Sequence, residues 1–490
     1  MEADHRVRHY LVFREGETVT RLGSSGDSLA QHAWQGHLTD HLQRLDLGET
    51  GSRIMLNVIA PPGPRWELVL AEKDSTLKPA PVTEHVCAIE LQIPSDVGAP
   101  HEHIEAVRAK LHAALPDCLH MGADVAIYGT EYWAPTNASD WLFGDREQAN
   151  RLIGTQFLRR QPDASGAGVN VIVVDQGVDR QRIRNFGGGW KHVDGPAPGS
   201  RKNGHGAMLV RNILDIAPEA TIFDVPLITG AVANRRAFLS EAHAAYLQIL
   251  RDVRALRRSK RWQGPWIFLN AWAIYDRQSE LPHGDHTRNA QHAFNLVIEE
   301  AVRQCFDVVF CAGNCGQFCP MRLCGSHDIG PGKSILGANS HPKVLTIGAV
   351  RSDGMWLGYS SQGPGQAEVA GQQDRKEAIR KPDLCAPSQF AEIADVRMAN
   401  TGTSAASAIA AGAVAALRSK CRDALSPAEL KNILRKSARQ TSGVGWNGKL
   451  GHGVLNLPAA YRRAEAKMRS RQGSNKPESS SACDSPRGRE

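Results

Sequence analysis

Four short segments carry the residue types that acyl transfer requires. In chain order they are V-V-D-Q-G-V-D with Asp175, N-G-H-G-A-M-L-V with His205, F-C-A-G-N-C-G with Asn314, and N-T-G-T-S-A-A-S with Ser404. A serine hydroxyl is a weak nucleophile until a base takes its proton, and histidine exchanges protons near neutral pH. An aspartate can orient that histidine, and an amide can donate to the negative charge that develops on the attacked oxygen.

Buried strands are predicted directly before several of these segments. Apolar runs rich in β-formers alternate with helical patterns, which predicts a parallel sheet with crossover helices. Ligands of such sheets bind beyond the carboxyl ends of the strands. Asp175 and Asn270 each follow a run directly, and Asn314 ends the turn Ala312-Gly-Asn314 that follows another. The runs are Val169–Val174, Thr221–Ile228, Trp266–Leu269, Val308–Cys311 and Val344–Val350.

The four segments in this order resemble the subtilisin-like serine peptidases (subtilases, family S8). The resemblance covers about residues 150–460, and its most specific motif is G-T-S-x-A at Gly402–Ala406. It implies an α/β fold, with a parallel sheet flanked by helices, and a serine endopeptidase that hydrolyses peptide bonds through an acyl-enzyme on Ser404. Further matching segments are Tyr359–Pro364, Lys381–Pro387 and Gly451–Asn456.

The resemblance also implies a role for each residue. Asp175, His205 and Ser404 would form the catalytic triad, and Asn314 with the Ser404 backbone N–H would form the oxyanion hole. Two alternatives stay open. One is a dedicated maturation protease, or acyl transferase, for one partner peptide, and the other is a protease-derived scaffold without activity.

Three positions depart from the pattern common in the family. Gln176 follows the aspartate where Thr or Ser is usual, Ala207 replaces the usual Thr after His-Gly, and Ser407 replaces a frequent proline. None of these departures removes a catalytic group, so activity is still expected.

The substrate cleft is expected along residues 266–275. In relatives this segment pairs with extended substrate, which makes Asn270, Ala271 and Trp272 the predicted substrate-binding residues. Trp272 is larger than the residue usual at its position, and it either narrows the specificity pocket or packs in the core. The preference for the residue at P1, the position whose carbonyl is attacked, is left open.

Metal and cofactor chemistry is not indicated. Four cysteines lie around Asn314: Cys311, Cys315, Cys319 and Cys324. Their spacings, x3, x3 and x4, match those of zinc sites poorly. Free and mostly buried thiols are therefore favoured over a metal site or a disulfide. His101-Glu-His103 lacks the HExxH spacing of a zinc helix. No metal site and no required cofactor is predicted. Structural calcium, common in the family, has no identifiable ligands.

The chain divides into three zones by composition. Residues 1–145 are predicted as a small α+β domain, residues 146–463 as the catalytic domain, and residues 464–490 as a disordered basic tail. Helical patterns at Ser28–Leu45 and His103–Leu115 alternate with β-patterns at Arg53–Ala60 and Val86–Ile93. The N-terminal zone is predicted either to inhibit the catalytic domain or to recruit substrate.

Composition bounds the remaining possibilities. The chain has 490 residues, 41% hydrophobic and 22% charged, which is enough apolar material for a large core. The formal charge is +7, but the sequence lacks the interleaved aromatic and basic residues of nucleic-acid binders. We therefore expect a protein or peptide substrate, with neither nucleic acid nor membrane as partner. The beginning of the sequence lacks the apolar core of a signal peptide, so a cytoplasmic location is expected.

Overall fold

The computed structural model of the chain describes residues 5–22, 28–42, 54–62, 65–72, 77, 83–94, 100–130, 142–229, 236–259, 262–366, 368, 379–392, 399–440 and 445–473. Within these ranges, no helix combines the length and the apolar character needed to cross a membrane.

The helices and strands occur along the chain in the following order. In the N-terminal part the elements are β1 (His5–Arg14), α1 (Glu17–Leu22), α2 (Ser28–Leu42), β2 (Met55–Ala60), β3 (Trp66–Leu70), β4 (Glu84–Ile93), α3 (Pro100–Ala114), β5 (Cys118–Ala123) and β6 (Ala126–Gly129). Strands and helices then alternate: α4 (Arg146–Ile153), α5 (Thr155–Arg159), β7 (Asn170–Asp175), β8 (Phe186–His192), α6 (His205–Ile216), β9 (Thr221–Pro226), β10 (Ala237–Phe238), α7 (Leu239–Arg258), β11 (Trp266–Asn270), β12 (Trp272–Ala273), α8 (Ala293–Arg303), β13 (Phe306–Cys311) and β14 (Leu345–Val350). The last elements are β15 (Leu384–Pro387), β16 (Phe390–Ala391), β17 (Ala399–Asn400), α9 (Gly402–Cys421), α10 (Pro427–Ser437) and α11 (Leu457–Gly473).

A large sheet forms the centre of residues 146–463, the predicted catalytic domain, which is called the catalytic region below. Its strand order is β15-β14-β13-β11-β7-β9-β8-β3, and every neighbouring pair is parallel except β3 with β8. The five predicted buried strands are β7, β9, β11, β13 and β14. The prediction of an α/β fold with a parallel sheet flanked by helices is therefore confirmed.

Helices cover both faces of this sheet. Alternate residues of β7 point to opposite faces, so Val171 and Val173 pack with α6 and α9, whereas Ile172 and Val174 pack with α7 and α8. Helix α9 is rich in alanine because it lies close against α6: a Cβ added at Gly412 would stand 2.8 Å from the Ile213 carbonyl oxygen. This close packing holds the first turn of α9 against the carboxyl edge of the sheet.

The N-terminal zone forms a sheet of its own but is not self-contained. Strands β2-β4-β1-β5 make an antiparallel sheet that packs on α2 and α3, so the predicted α+β composition is present. Strand β3, however, joins the edge of the catalytic sheet, and β6 lies between β10 and β12. Two strands from residues 1–145 thus complete sheets of the catalytic region. The sequence could not show this, because pairing partners distant in the chain leave no local pattern.

The C-terminal region differs from the predicted boundary. Helix α11 continues through Gly473, so the first ten residues of the predicted disordered tail, 464–473, are helical. Ala464 of this helix is buried in the core and Met468 packs against that core, which holds this part of the helix in place. Disorder is therefore wrong for residues 464–473. Residues 474–490 lie outside the described residues.

A buried ion pair connects α9 to β13, and its loss should cost considerable stability. The Arg418 Nε and Nη2 atoms donate to the two carboxylate oxygens of Asp307 at 2.6 and 2.8 Å, and both residues are buried. Asp307→Asn should lower the free energy of unfolding by about 3–5 kcal/mol, because a buried guanidinium loses its counter-charge. Urea denaturation measures the difference. The control is Glu147→Gln, which breaks the exposed Arg151–Glu147 pair and should cost under about 1 kcal/mol. Equal losses in the two variants would contradict the prediction.

Candidate active site

Asp175 and His205 meet at the carboxyl edge of the central sheet. Asp175 is the last residue of β7, and His205 is the first residue of α6. The two carboxylate oxygens of Asp175 lie 2.9 and 2.8 Å from the His205 Nδ1 atom, and both side chains are buried. A carboxylate at this distance favours the tautomer with its proton on Nδ1. The Nε2 atom is then the ring nitrogen that can accept a proton.

Ser404 lies in the first turn of α9. It is fully buried, and its hydroxyl is hydrogen-bonded to the hydroxyl of Thr130. Gly402, two residues earlier, has φ +71°, and a Cβ there would stand only 2.2 Å from the Thr130 carbonyl oxygen. Glycine at this position lets a peptide backbone lie directly beside the beginning of the helix.

The Asn314 side chain is fixed by hydrogen bonds on both sides. It follows β13, and its Oδ1 accepts from the backbone N–H and the hydroxyl of Thr403 at 3.0 and 2.9 Å. These bonds orient the Nδ2 group, which donates to the Thr130 carbonyl oxygen at 2.8 Å. An amide donor therefore already points at a peptide carbonyl that lies beside Ser404.

The peptide in this position belongs to the chain itself. Strand β6 is paired antiparallel with β12 on one side, Trp272 with Gly129 and Ala273 with Tyr128, and with β10 on the other. Thr130 extends the pairing, since its backbone N–H donates to the Ala271 carbonyl at 3.1 Å. Residues 126–130 thus lie in the cleft as an extended peptide would. The strand–helix–strand pattern of residues 86–130 is visible in the sequence, but nothing in it marks Thr130.

The three predicted substrate-binding residues behave differently from one another. The Ala271 carbonyl accepts from both the N–H and the hydroxyl of Thr130, and the Trp272 backbone pairs with Gly129. The Trp272 indole packs in the core against Phe294 and Phe310, so it does not roof a pocket. The Asn270 side chain is buried and accepts a hydrogen bond from the Tyr246 hydroxyl. Alternation along a strand places these side chains behind the cleft.

A second buried carboxylate supports the loops beside Asp175 and His205. Asp224 in β9 accepts from the backbone N–H of Val178 at 3.2 Å and of Gly199 at 2.8 Å. Burial raises the pKa of Asp224 to about 7, with Asp175 adding to the increase and the two N–H groups opposing it. The sequence offered one signal, an aspartate within an otherwise apolar strand.

A match to a family model accompanies this geometry. The model described as the Subtilase family matches residues 165–453, which is more than half of the chain. The chain belongs to the subtilase family. The family resemblance drawn from the four segments is therefore confirmed, and the subtilases are serine peptidases that act on proteins or peptides.

Two solved structures resemble this chain at low sequence identity. Fervidolysin from Fervidobacterium pennivorans, a keratinolytic enzyme, is 14% identical with a TM-score of 0.51, and the match covers 94% of this chain and 61% of fervidolysin. This subtilase thus spans less than two thirds of the length of fervidolysin. MycP1 from Mycobacterium smegmatis is 20% identical with a TM-score of 0.45, covering 69% of this chain and 89% of that one. No curated protein matches the chain.

The cysteines around Asn314 differ from the expectation of free thiols. Cys315 and Cys324 form a disulfide within the loop that follows Asn314, because the loop folds back and brings their Cα atoms to 5.8 Å. Cys311 and Cys319 lie outside this disulfide, the first buried and the second exposed. Burial raises the pKa of the Cys311 thiol to about 12, so it stays protonated beside Ser404. In the part of the chain that the structure describes, no three His, Cys, Asp or Glu side chains form a group that could hold a metal ion.

Proposed function

We propose that this subtilase is a serine endopeptidase with Asp175, His205 and Ser404 as its catalytic triad. The observation that carries the proposal is the position of residues 126–130. They lie in the cleft as a substrate would, with the Thr130 carbonyl oxygen 2.8 Å from the Asn314 Nδ2 atom. Peptide cleavage by a serine requires this arrangement, a hydrogen-bond donor directed at a peptide carbonyl beside the serine.

The triad divides the reaction into two acyl transfers. Ser404 Oγ attacks the peptide carbonyl carbon while its proton passes to His205 Nε2, and Asp175 stabilises the resulting imidazolium. Nε2 then gives this proton to the departing amine, so the C–N bond breaks and the acyl group stays on Ser404. A water molecule attacks the ester with His205 again as the base, and release of the acid restores the serine.

Asn314 and the Ser404 backbone N–H are proposed as the oxyanion hole. The amide of Asn314 is held by Thr403 and cannot rotate away without losing two hydrogen bonds. Because its direction is set before the reaction begins, the tetrahedral oxyanion gains a donor at no cost of reorganisation. The first turn of α9 adds the positive end of the helix dipole at Ser404.

The N-terminal zone is proposed as an inhibitor that the enzyme removes. As long as residues 128–130 are bonded to residues 271–273, another peptide cannot pair there, so the uncut chain is latent. The bond that follows the Thr130 carbonyl is the one presented to Ser404. Occupation of the cleft favours an inhibitory zone over a recruiting one, which would leave the cleft open. The functional division then falls after Thr130 rather than at residue 145.

Mass spectrometry of the purified chain tests this proposal. Wild type should yield a fragment that ends at Thr130 and one that begins at Glu131, and Ser404→Ala should remain uncut. Ser407→Ala is a matched control, because Ser407 lies one turn along α9, buried, with its hydroxyl donating to the Ser404 carbonyl. It should cut like wild type.

A fluorophosphonate probe separates the alternatives. The cut wild type should react at Ser404 and the alanine variant should not. Labelling that persists in Ser404→Ala would refute the assignment of the nucleophile. A wild-type chain that neither cuts itself nor reacts would instead indicate an inactive scaffold.

A further inference from the structure

Two short segments form the walls around the Thr130 side chain. One is Ala271–Ala273, which follows β11 and contains β12. The other is Cys311–Gly313, which begins at the last residue of β13. Strands β11 and β13 are parallel neighbours, so the segments leave the sheet side by side. Thr130 is completely buried between them. The pocket for the P1 side chain is the space between these two segments.

The two walls are tied together, which leaves this space narrow. Cys311 Sγ donates to the Trp272 carbonyl at 3.4 Å. The Asn339 Nδ2 group donates to the carbonyls of both Trp272, at 3.0 Å, and Cys311, at 2.8 Å. A Cβ built on Gly313 would lie only 3.7 Å from the Ala273 Cβ. An aromatic ring between two walls needs about 3.5 Å on each side, roughly 7 Å in all.

The space that remains fits a small residue with a hydroxyl. Thr130 Oγ1 donates to the Ala271 carbonyl at 3.0 Å and lies 3.3 Å from Cys311 Sγ. Every one of these groups is buried, so a P1 residue without a donor leaves the Ala271 carbonyl with the backbone N–H alone. Sites built to bind a substrate hydroxyl discriminate strongly against analogues that lack it.

We propose that Cys311 and Ala273 restrict the P1 position of this enzyme to small residues, with threonine preferred because its hydroxyl bonds to the Ala271 carbonyl. This inference rests on the proposed peptidase function and names its substrate class: peptides that present threonine, serine or alanine before the scissile bond. Leucine and phenylalanine are excluded by the width of the pocket. Asn339 is a positioning residue, since it holds the two walls together from behind.

Kinetics on synthetic peptides test the preference. Self-cleaved wild-type enzyme is given peptides that keep Ile-Tyr-Gly before the P1 residue and vary that residue among Thr, Ser, Ala, Val, Leu and Phe. We expect kcat/KM to be highest for Thr and at least about 100-fold lower for Leu and Phe. Valine has the shape of threonine without the hydroxyl, so it isolates the hydrogen bond and should lie at least about 10-fold below threonine.

A variant that opens the pocket tests the residue assignment. Cys311→Gly removes the side chain that lies against Thr130 and should raise the kcat/KM ratio of leucine to threonine by at least about 10-fold. Cys311→Ser keeps the size of the side chain and its donation to the Trp272 carbonyl. It should retain the wild-type order of preference.

The outcomes distinguish the two proposals. If the enzyme reacts with a fluorophosphonate and cuts leucine or phenylalanine peptides better than threonine peptides, the P1 inference is wrong and the peptidase proposal stands. An unchanged leucine-to-threonine ratio in Cys311→Gly would remove Cys311 from the argument. If no peptide is cut and the probe does not react, the proposed function falls and the inference falls with it.

Discussion

In the Asp175→Asn variant, cleavage after Thr130 should slow by about 10⁴-fold, the effect of the same change in other Ser-His-Asp triads. Both carboxylate oxygens of Asp175 lie within 2.9 Å of the His205 Nδ1 atom. An amide keeps one oxygen but replaces the other with an NH2 group, which favours a proton on Nε2. The imidazole then has no lone pair on the nitrogen that must accept the Ser404 proton, and the charge that compensates the imidazolium is lost.

Self-cleavage is the suitable readout for this variant, because the uncut chain keeps its cleft filled and cannot act on an added peptide. Fragment formation is followed by mass spectrometry from minutes to days. Asp179→Asn provides the control: it makes the same change four residues further on, where the carboxylate accepts from the Gln181 N–H and an amide oxygen can do so equally. It should cut within a few-fold of wild type. Wild-type cleavage by Asp175→Asn would exclude the proposed role of Asp175.

The features that the sequence predicts well are local in character. Each buried strand is marked by a continuous apolar run, and each site residue follows such a run or begins a helix. The carboxyl ends of parallel strands share one edge, so topology alone places Asp175 and Asn314 at the same edge of the sheet. Helix α9 carries its own signature, a row of small residues that close packing against α6 requires.

The features that the sequence does not predict depend on long-range pairing. Thr130 lies 274 positions from Ser404, and no residue type near it signals that its carbonyl faces Asn314. The orientation of Trp272 follows from which face of its strand meets the helices, and the strand is too short for its alternation to be read. The Cys315–Cys324 disulfide depends on the path of an irregular loop, which spacing alone does not define.

The proposed latency also requires contacts outside the cleft. The N-terminal zone must stay in place before cleavage, and its sheet contacts the catalytic region away from the cleft through buried groups. The Asp285 carboxylate accepts from Arg108 at 2.9 Å and from the Ala123 N–H at 2.6 Å. His292 Nε2 lies 3.2 Å from the Ala123 carbonyl oxygen, and His9 of β1 is fully buried in the same place. His9 and His292 are thus two of at least three histidines where the zones meet; a third, His243 of α7, has its Nδ1 atom 3.2 Å from the hydroxyl of Tyr10 in β1.

His9 and His292 should make this contact sensitive to acid. Burial lowers the pKa of His9 to about 4 and of His292 to about 4, and the charge of Asp285 only partly offsets the effect. Arg108 lowers both pKa values further, and His120 also lowers that of His292. An exposed histidine has a pKa near 6.5. The released state therefore binds protons that the docked state excludes.

The sign and size of the effect follow from this difference. Above about pH 7.5 both states hold neutral histidines, and docking does not depend on pH. As the pH falls below 6.5, each histidine favours release by about 10-fold per pH unit until the docked pKa is reached. At pH 5 this gives about 30-fold for each histidine and about 10³-fold for His9 and His292 together. Burial lowers the pKa of His243 to about 3, so its exposure adds in the same direction and about 10³-fold is the lower bound. A carboxyl group whose pKa is raised only in the docked state would oppose release at low pH. Burial raises the pKa of Glu280 to about 7, but its hydrogen-bond partners, the backbone N–H groups of His286 and Thr287, belong to its own loop and not to the N-terminal zone.

Hydrogen exchange in the uncut Ser404→Ala chain measures release without requiring activity. The Thr130 N–H, bonded to the Ala271 carbonyl, should exchange at least about 10³-fold faster at pH 5 than at pH 7.5 once the intrinsic rates are corrected for. His9→Leu should lower that ratio by about 30-fold. His101→Leu, at an exposed histidine of the same zone, should leave it unchanged. Equal ratios in His9→Leu and wild type would show that His9 does not sense acid at this contact, whereas the predicted reduction would connect one buried imidazole to the opening of the cleft.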